Sequence, residues 1–151
     1  MAKAITLSAS NWSNGKIIIY RIIICQKIEK NGENSCDPQN LGTATRVDLS
    51  NSGILEFLSN IAEGAYRLES IDLSNNFFRA IPRDFFRWNQ MLTTIDLSKN
   101  QIKSIRPDII SGLRNLETLD LSNNLLSVLN KKLLRDAVKL KEYISQNFHK
   151  K

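Results

Sequence analysis

Between residues 44 and 139 the apolar positions of the chain recur in one frame. The segments Val47-Asp48-Leu49-Ser50, Ile71-Asp72-Leu73-Ser74, Ile95-Asp96-Leu97-Ser98 and Leu119-Asp120-Leu121-Ser122 stand 24 residues apart. Leu68, Leu92 and Leu116 open the last three of these units, with Ala44 in the same slot of the first. Asn76, Asn100 and Asn124 fall three residues after the second strand leucine, where the first unit has Ser52. Ile54, Phe78, Ile102 and Leu126 come next, then Phe57, Ile81, Ile105 and Leu129. Alternation of apolar and polar residues around each Asp predicts a short strand with one buried face. Stacking one unit on the next buries those faces as a continuous ladder, which no unit achieves alone. The recurring Asn predicts a chain turn inside the stack, its amide bonding backbone groups that burial would otherwise leave unsatisfied. Ser52 is shorter and does less of this, as expected of a terminal unit.

These residues resemble the leucine-rich-repeat family, each unit following L-x-x-L-x-L-x-x-N-x-L, with repeats at 44–67, 68–91, 92–115 and 116–139. The 24-residue period and the stretches Ile81-Pro82-x-x-x-Phe86 and Ile110-Ser111-Gly112-Leu113 are similar to the subclass found in Toll-like receptors and small leucine-rich proteoglycans. The resemblance implies an α/β fold: a leucine-rich-repeat solenoid with a parallel concave β-sheet and a convex side of loops and 3-10 turns. It implies a non-enzymatic protein-binding module of receptor or adaptor type, recognising a partner through the concave face and its rims. The alternative is a structural fragment of a larger leucine-rich-repeat receptor or adaptor with no complete binding site. On the convex side Phe86 and Ile110 are expected to fill the core, with Ile61 or Ala62 and Leu134 in the matching slots. Phe85, Trp88 and Met91 are expected to serve as apolar filler too.

The ends depart from the pattern. Residues 1–43 read as a β-rich cap or a truncated neighbour domain. Asn14-Gly15 and Asn31-Gly32 are two-residue hairpin signals flanking the β-rich run Lys16–Glu29, which predicts a three-strand meander against the first repeat. The stretch Asn14-Gly15-Lys16-Ile17-x-x-Tyr20-Arg21-Ile22 is also similar to the central strand of a fibronectin type III module. In a simple hairpin about Asn31-Gly32, Cys36 falls opposite Lys27 and diagonal to Cys25. Diagonal pairs are ~7–8 Å apart, so a Cys25–Cys36 bridge requires a bulge. At the other end a fifth repeat would open at Leu140 with Tyr143 in register, but Ser145 and Phe148 then occupy the leucine and asparagine slots. Leu133, Ala137, Leu140, Ile144 and Phe148 instead form a helical stripe, with Asn130 as N-cap. The expectation is therefore a capping helix over about 131–148, of which residues 140–151 hold the latter part.

Binding candidates are the outward-facing strand residues: Arg46, Asp48, Glu69, Asp72, Asn75, Thr94, Asp96, Lys99, Glu117, Asp120 and Asn123. Asp48, Asp72, Asp96 and Asp120 form one column, on strands set ~4.8 Å apart, so four carboxylates in a row are expected to raise one another's pKa. An acidic concave stripe would take a protein partner with a basic surface; alternatively, Asp and Ser are simply hydrogen-bonded within their own sheet. The column contains no Trp, Tyr or Phe, the usual anchors of tight interfaces.

Composition narrows the alternatives. A net charge of +6 is dispersed as +2, −1, +3 and +2 over residues 1–43, 44–91, 92–139 and 140–151, a pattern of solvated surface that argues against nucleic acid and against a membrane face. The longest apolar run, Ile17–Cys25, is interrupted by Arg21 and is too short for a membrane span or a good signal sequence. The chain as given thus reads as cytoplasmic, or as extracellular if it is a fragment; Asn11-Trp12-Ser13 is its one conventional glycosylation sequon. His149 stands alone near the end, so no histidine-based triad is available. No phosphate-binding glycine loop is present, two cysteines and one histidine lack metal-site spacing, and the aspartate row lacks the converging ligands calcium needs. Neither an enzyme nor a bound cofactor is expected.

Overall fold

The computed structural model describes residues 4–13, 16–27, 34–36, 44–57, 65–128, 131–134 and 142–144. Its centre is a five-stranded parallel sheet built from β4 (Arg46–Asp48), β6 (Ser70–Asp72), β7 (Thr94–Asp96), β8 (Thr118–Asp120) and β9 (Glu142–Ile144), in that order. A further strand, β5 (Ile54–Phe57), lies outside this sheet. Register is uniform: Val47 pairs with Ile71, Ile71 with Ile95, Ile95 with Leu119 and Leu119 with Tyr143. Each strand is three residues long, with its middle residue inward in β4, β6, β7 and β8. The ladder then runs on through backbone bonds from Leu49, Leu73 and Leu97 N–H to the carbonyls of Asp72, Asp96 and Asp120, at 2.8, 2.8 and 2.9 Å.

Behind the sheet the expected apolar positions are buried in one core: Ala44, Leu68, Leu92 and Leu116, the paired strand residues, and Ile54, Phe78, Ile102 and Leu126. Two further columns close the convex side. Phe86 and Ile110 are buried as anticipated, and Phe85, Ile109 and Leu133 form a second buried column beside them. Phe85 and Phe86 meet edge to face with ring centroids 4.9 Å apart. The slots assigned to Ile61 or Ala62 and to Leu129, and the N-cap assigned to Asn130, lie outside the described residues, as does the side chain of Leu134.

The asparagines turn the chain as expected. Asn100 Nδ2 donates to the carbonyls of Leu73, Leu97 and Ser98, each at 3.0 Å, while its Oδ1 accepts from Phe78 N–H at 3.1 Å. Asn76 and Asn124 repeat this arrangement one unit away on either side. Each amide therefore ties its own strand end to the preceding repeat. Ser52 manages a single side-chain bond, to Ser50 O at 3.1 Å.

The ends differ from expectation in two respects. Residues 142–144 are a strand and not part of a helix: β9 adds to β8 in the repeat register, with Tyr143 beside Leu119. The helical stripe misled because two of its members, Leu133 and Leu140, also satisfy the repeat frame. An added strand bonds the backbone groups that the β8 edge would otherwise present unpaired, and a capping helix cannot. Of the rest of the expected helix, the described residues are Lys131–Leu134, a 3-10 turn whose Leu133 takes the same slot as Phe85 and Ile109. Toward the N-terminus, β1 (Ala4–Ser13), β2 (Lys16–Lys27) and β3 (Asn34–Cys36) form an antiparallel meander, and β2 also pairs in parallel with β5 of the first repeat, Ile17 facing Ile54. The two Asn-Gly turns lie outside the described residues. Cys25 pairs directly with Cys36 and Lys27 with Asn34, so the cysteines are opposed and not diagonal. The longer connection between β2 and β3 displaces the register from that of a simple two-residue hairpin.

Candidate functional site: the concave face

The parallel ladder aligns like residues across neighbouring strands, so a chemical choice made once is repeated along the face. Arg46, Ser70, Thr94, Thr118 and Glu142 form one row; Asp48, Asp72, Asp96 and Asp120 form the next, ending where Ile144 takes the fifth position. A shallow concavity of about 370 Å³ lies over the first three strands, lined by Arg46, Asp48, Ser70, Asp72, Thr94 and Asp96 together with the strand backbones. Of the eleven candidates, five line this hollow: Arg46, Asp48, Asp72, Thr94 and Asp96. Asp120 continues the row beyond it. Glu69 and Glu117 stand just ahead of β6 and β8. Asn75, Lys99 and Asn123 occupy the strand-exit corners with φ of 52°, 54° and 53°. Asn75 donates through Nδ2 to Asn51 Oδ1, linking two corners.

The aspartates are anchored locally. Asp72 Oδ1 accepts from Ser74 N–H at 2.9 Å, Asp96 Oδ1 from Ser98 N–H at 2.8 Å and Asp120 Oδ1 from Ser122 N–H at 2.8 Å. Asp48 Oδ1 takes two bonds from Ser50, one from the backbone at 2.9 Å and one from the hydroxyl at 2.7 Å. The Asp-Leu-Ser wording is thus a turn device, joining residues two apart in one repeat and not the strands to each other. The expected mutual elevation of acidity constants gives way to this local chemistry at Asp48. Its carboxyl is held below the ordinary carboxylate range by the Ser50 backbone bond, then the Ser50 hydroxyl, with Arg46 assisting against a small opposing effect of burial. Ser98 and Ser122 are buried beside the turn they complete.

Two residues assigned to the core are on the surface. Trp88 is 42% and Met91 49% exposed, and Tyr66, which the sequence reading passed over, is 59% exposed. A signal was available: Tyr66 and Met91 sit two places and one place before the chain re-enters the leucine slot, at the corner of a tight turn where side chains project outward.

Comparison with known proteins agrees with this geometry. The leucine-rich-repeat family matches residues 66–126 and 90–142, together just over half of the chain. Among solved structures, the leucine-rich-repeat ectodomain of the receptor kinase SOBIR1 from Arabidopsis thaliana is similar at a TM-score of 0.56 and 25% identity, over 83% of this chain and 68% of that one. No curated protein matches the sequence. A parallel ladder, an asparagine turn in each repeat and the family match converge: the chain belongs to the leucine-rich-repeat family, a family of non-enzymatic scaffolds that commonly mediate protein–protein interaction.

Proposed function

We propose that this chain is a protein-recognition module of the 24-residue repeat subclass, docking the basic surface of a protein partner on its concave face. One observation carries the reading. Every aspartate of the column uses Oδ1 for its own repeat, and no hydrogen bond among the described residues engages the Oδ2 atoms. A partner lysine or arginine therefore meets carboxylates that are already oriented and keep an acceptor to offer, so little ordering cost accompanies the new bonds. Complementary charge of this kind governs association rate and partner choice more than raw affinity. The test is binding of a lysine- and arginine-rich peptide to the full chain and to the Asp72→Lys/Asp96→Lys variant. Loss of about tenfold or more in affinity, with steep salt dependence, is the expected result; equal binding by the variant would sink the concave reading.

A second reading, a stretch of a longer receptor or adaptor array with an incomplete binding face, is favoured by β9. That strand prolongs the sheet where the sequence pattern predicts a cap. Under it the basic peptide binds the unaltered chain no better than the variant.

A further inference from the structure

Away from the concave face, three tight turns lead the chain back into the leucine slot. They are closed by backbone bonds from Leu68 N–H to Ala65 O, from Leu92 N–H to Asn89 O and from Leu116 N–H to Leu113 O, at 3.1, 3.0 and 3.2 Å. Their corner residues are Tyr66-Arg67, Gln90-Met91 and Arg114-Asn115. Side-chain amides bind each turn to the next: Asn89 Nδ2 donates to Ala65 O at 2.9 Å and Asn115 Nδ2 to Gln90 O at 3.2 Å. The corners are thus held side by side on one rim. Just before the middle turn, the exposed pair Arg87-Trp88 adds to it, with the guanidinium carbon 5.2 Å from the ring centroid of Trp88. At Gly112, the equivalent of Trp88 in the next repeat, an added Cβ would meet nothing within 4 Å, so space is open there.

What marks this rim is that unpaired arginines and large exposed apolar side chains fall together on it. Arg83 and Arg106 are engaged by carboxylates, Arg106 in a two-bond pair with Asp108 at 3.0 and 2.9 Å. Arg67, Arg87 and Arg114 are in no ion pair among the described residues. The nearest carboxylates along the chain to Arg67 and Arg114, Glu69 and Glu117, follow the buried Leu68 and Leu116 toward the sheet face, and the one nearest Arg87, Asp84, faces Arg83 at 3.7 Å. Tyr66, Trp88 and Met91 are the large exposed apolar side chains of the rim. Aromatics, Met and Arg together are the composition of an interface core, and Trp, Tyr and Arg dominate binding hot spots.

We propose that this turn rim is a second docking surface, distinct from the concave face, which takes an acidic segment of a protein partner bearing an apolar side chain. The arginines pair with the segment's carboxylates and the apolar side chain packs against Trp88 and Met91. Arginine favours such planar, two-point carboxylate contacts. A lipid surface fits less well, because recognition of anionic membranes calls for about four to eight clustered cations and the rim has three.

The probe is a fluorescein-labelled peptide of alternating Glu and Leu, titrated into the full chain, with a Glu-Ser peptide as control. The Glu-Leu peptide is expected to bind more tightly than the control and to weaken about thirtyfold or more with Trp88→Ala, the loss typical of a hot spot. Arg67→Glu/Arg114→Glu should weaken it similarly, and this pair of exposed positions keeps the test valid if Trp88→Ala melts the fold by circular dichroism. Asp72→Asn/Asp96→Asn should leave it unchanged, separating this surface from the concave one. Equal binding of both peptides, indifference to the rim substitutions, or preferential capture by phosphatidylserine vesicles in co-sedimentation would each overturn the proposal.

Discussion

Two polar columns run through this solenoid with the same 24-residue spacing, one of asparagine and one of aspartate, four residues apart in each repeat. In sequence both keep one frame, the aspartates in all four repeats and the asparagines in three, with Ser52 in the first. In structure they do opposite things. Asn76 and Asn100 are buried, and each amide holds several backbone groups of two repeats. The aspartates lie on the concave face, and each makes its side-chain bond to the serine two residues on. Regularity alone therefore does not separate structural necessity from available chemistry. What separates them is which side of the strand each column occupies, and how many backbone groups depend on it.

The sharpest way to break this comparison is to make the same atomic exchange in both columns. Asn100→Asp replaces the amide Nδ2, which donates to three carbonyls, with an oxygen that repels them. A buried, unpaired carboxylate of this kind should destabilise by about 3–5 kcal/mol at neutral pH. Burial raises the folded-state pKa of the new carboxyl above its unfolded value of about 3.9. The loss should accordingly be smallest below that value and grow as pH rises through the folded-state pKa. Asp96→Asn is the reverse exchange. Its amide Oδ1 still accepts from Ser98 N–H, so stability should stay within about 0.5 kcal/mol of the parent. Urea denaturation across pH measures both. Comparable losses in the two variants would mean that the aspartate column is as structural as the asparagine one.

Most of the repeat core was legible because strand alternation recurs four times and the asparagine turn three, and each copy checks the others. The leucine slots, the inward strand residues and Phe86 and Ile110 all followed from that frame. Leu133 and Leu140 were ambiguous for a physical reason: seven residues apart, they satisfy both a helix face and the repeat frame, and at residues 142–144 the unpaired β8 edge decided for a strand. On the concave face the sequence placed the aspartate row and offered Asp–Ser bonding along the sheet as its alternative, but did not show that these bonds join residues two apart within one repeat and tune Asp48. Trp88 and Met91 were misplaced because aromatic and sulfur side chains are usually buried. Their turn positions, and not their hydrophobicity, set their exposure.

A third column sharpens the contrast, since it is set by backbone conformation and not by side-chain bonding. Asn51, Asn75, Lys99 and Asn123 share a positive φ between 52° and 54° at the strand exit. Asparagine visits this left-handed region routinely, whereas other side chains incur a cost of about 1 kcal/mol or more. Lys99→Asn should thus stabilise by about 0.5–1 kcal/mol, seen as a higher denaturation midpoint at unchanged slope. No gain would mean that the lysine side chain recovers its backbone cost through contacts that the shorter residue loses.

The smallest expected effect tests the claim that serine, and not its neighbouring aspartates, governs Asp48. The Ser50 backbone bond is the larger influence and survives Ser50→Ala; the hydroxyl bond at 2.7 Å does not. Asp48 should then titrate at a higher pH than in the parent while remaining below the ordinary value of 3.8. Because its folded-state pKa is depressed, its contribution to stability is present above the unfolded value and is lost as pH falls through the folded one. Ser50→Ala should therefore reduce stability above that window by a few tenths of a kcal/mol, about the size of one exposed hydrogen bond, and leave it nearly unchanged well below. Carboxyl-carbon NMR titration reads the shift directly. If Asp48 moved instead on Asp72→Asn and was indifferent to Ser50→Ala, the aspartate row would be electrostatically coupled after all, and its carboxylates would meet a partner as one acidic stripe and not as separately anchored groups.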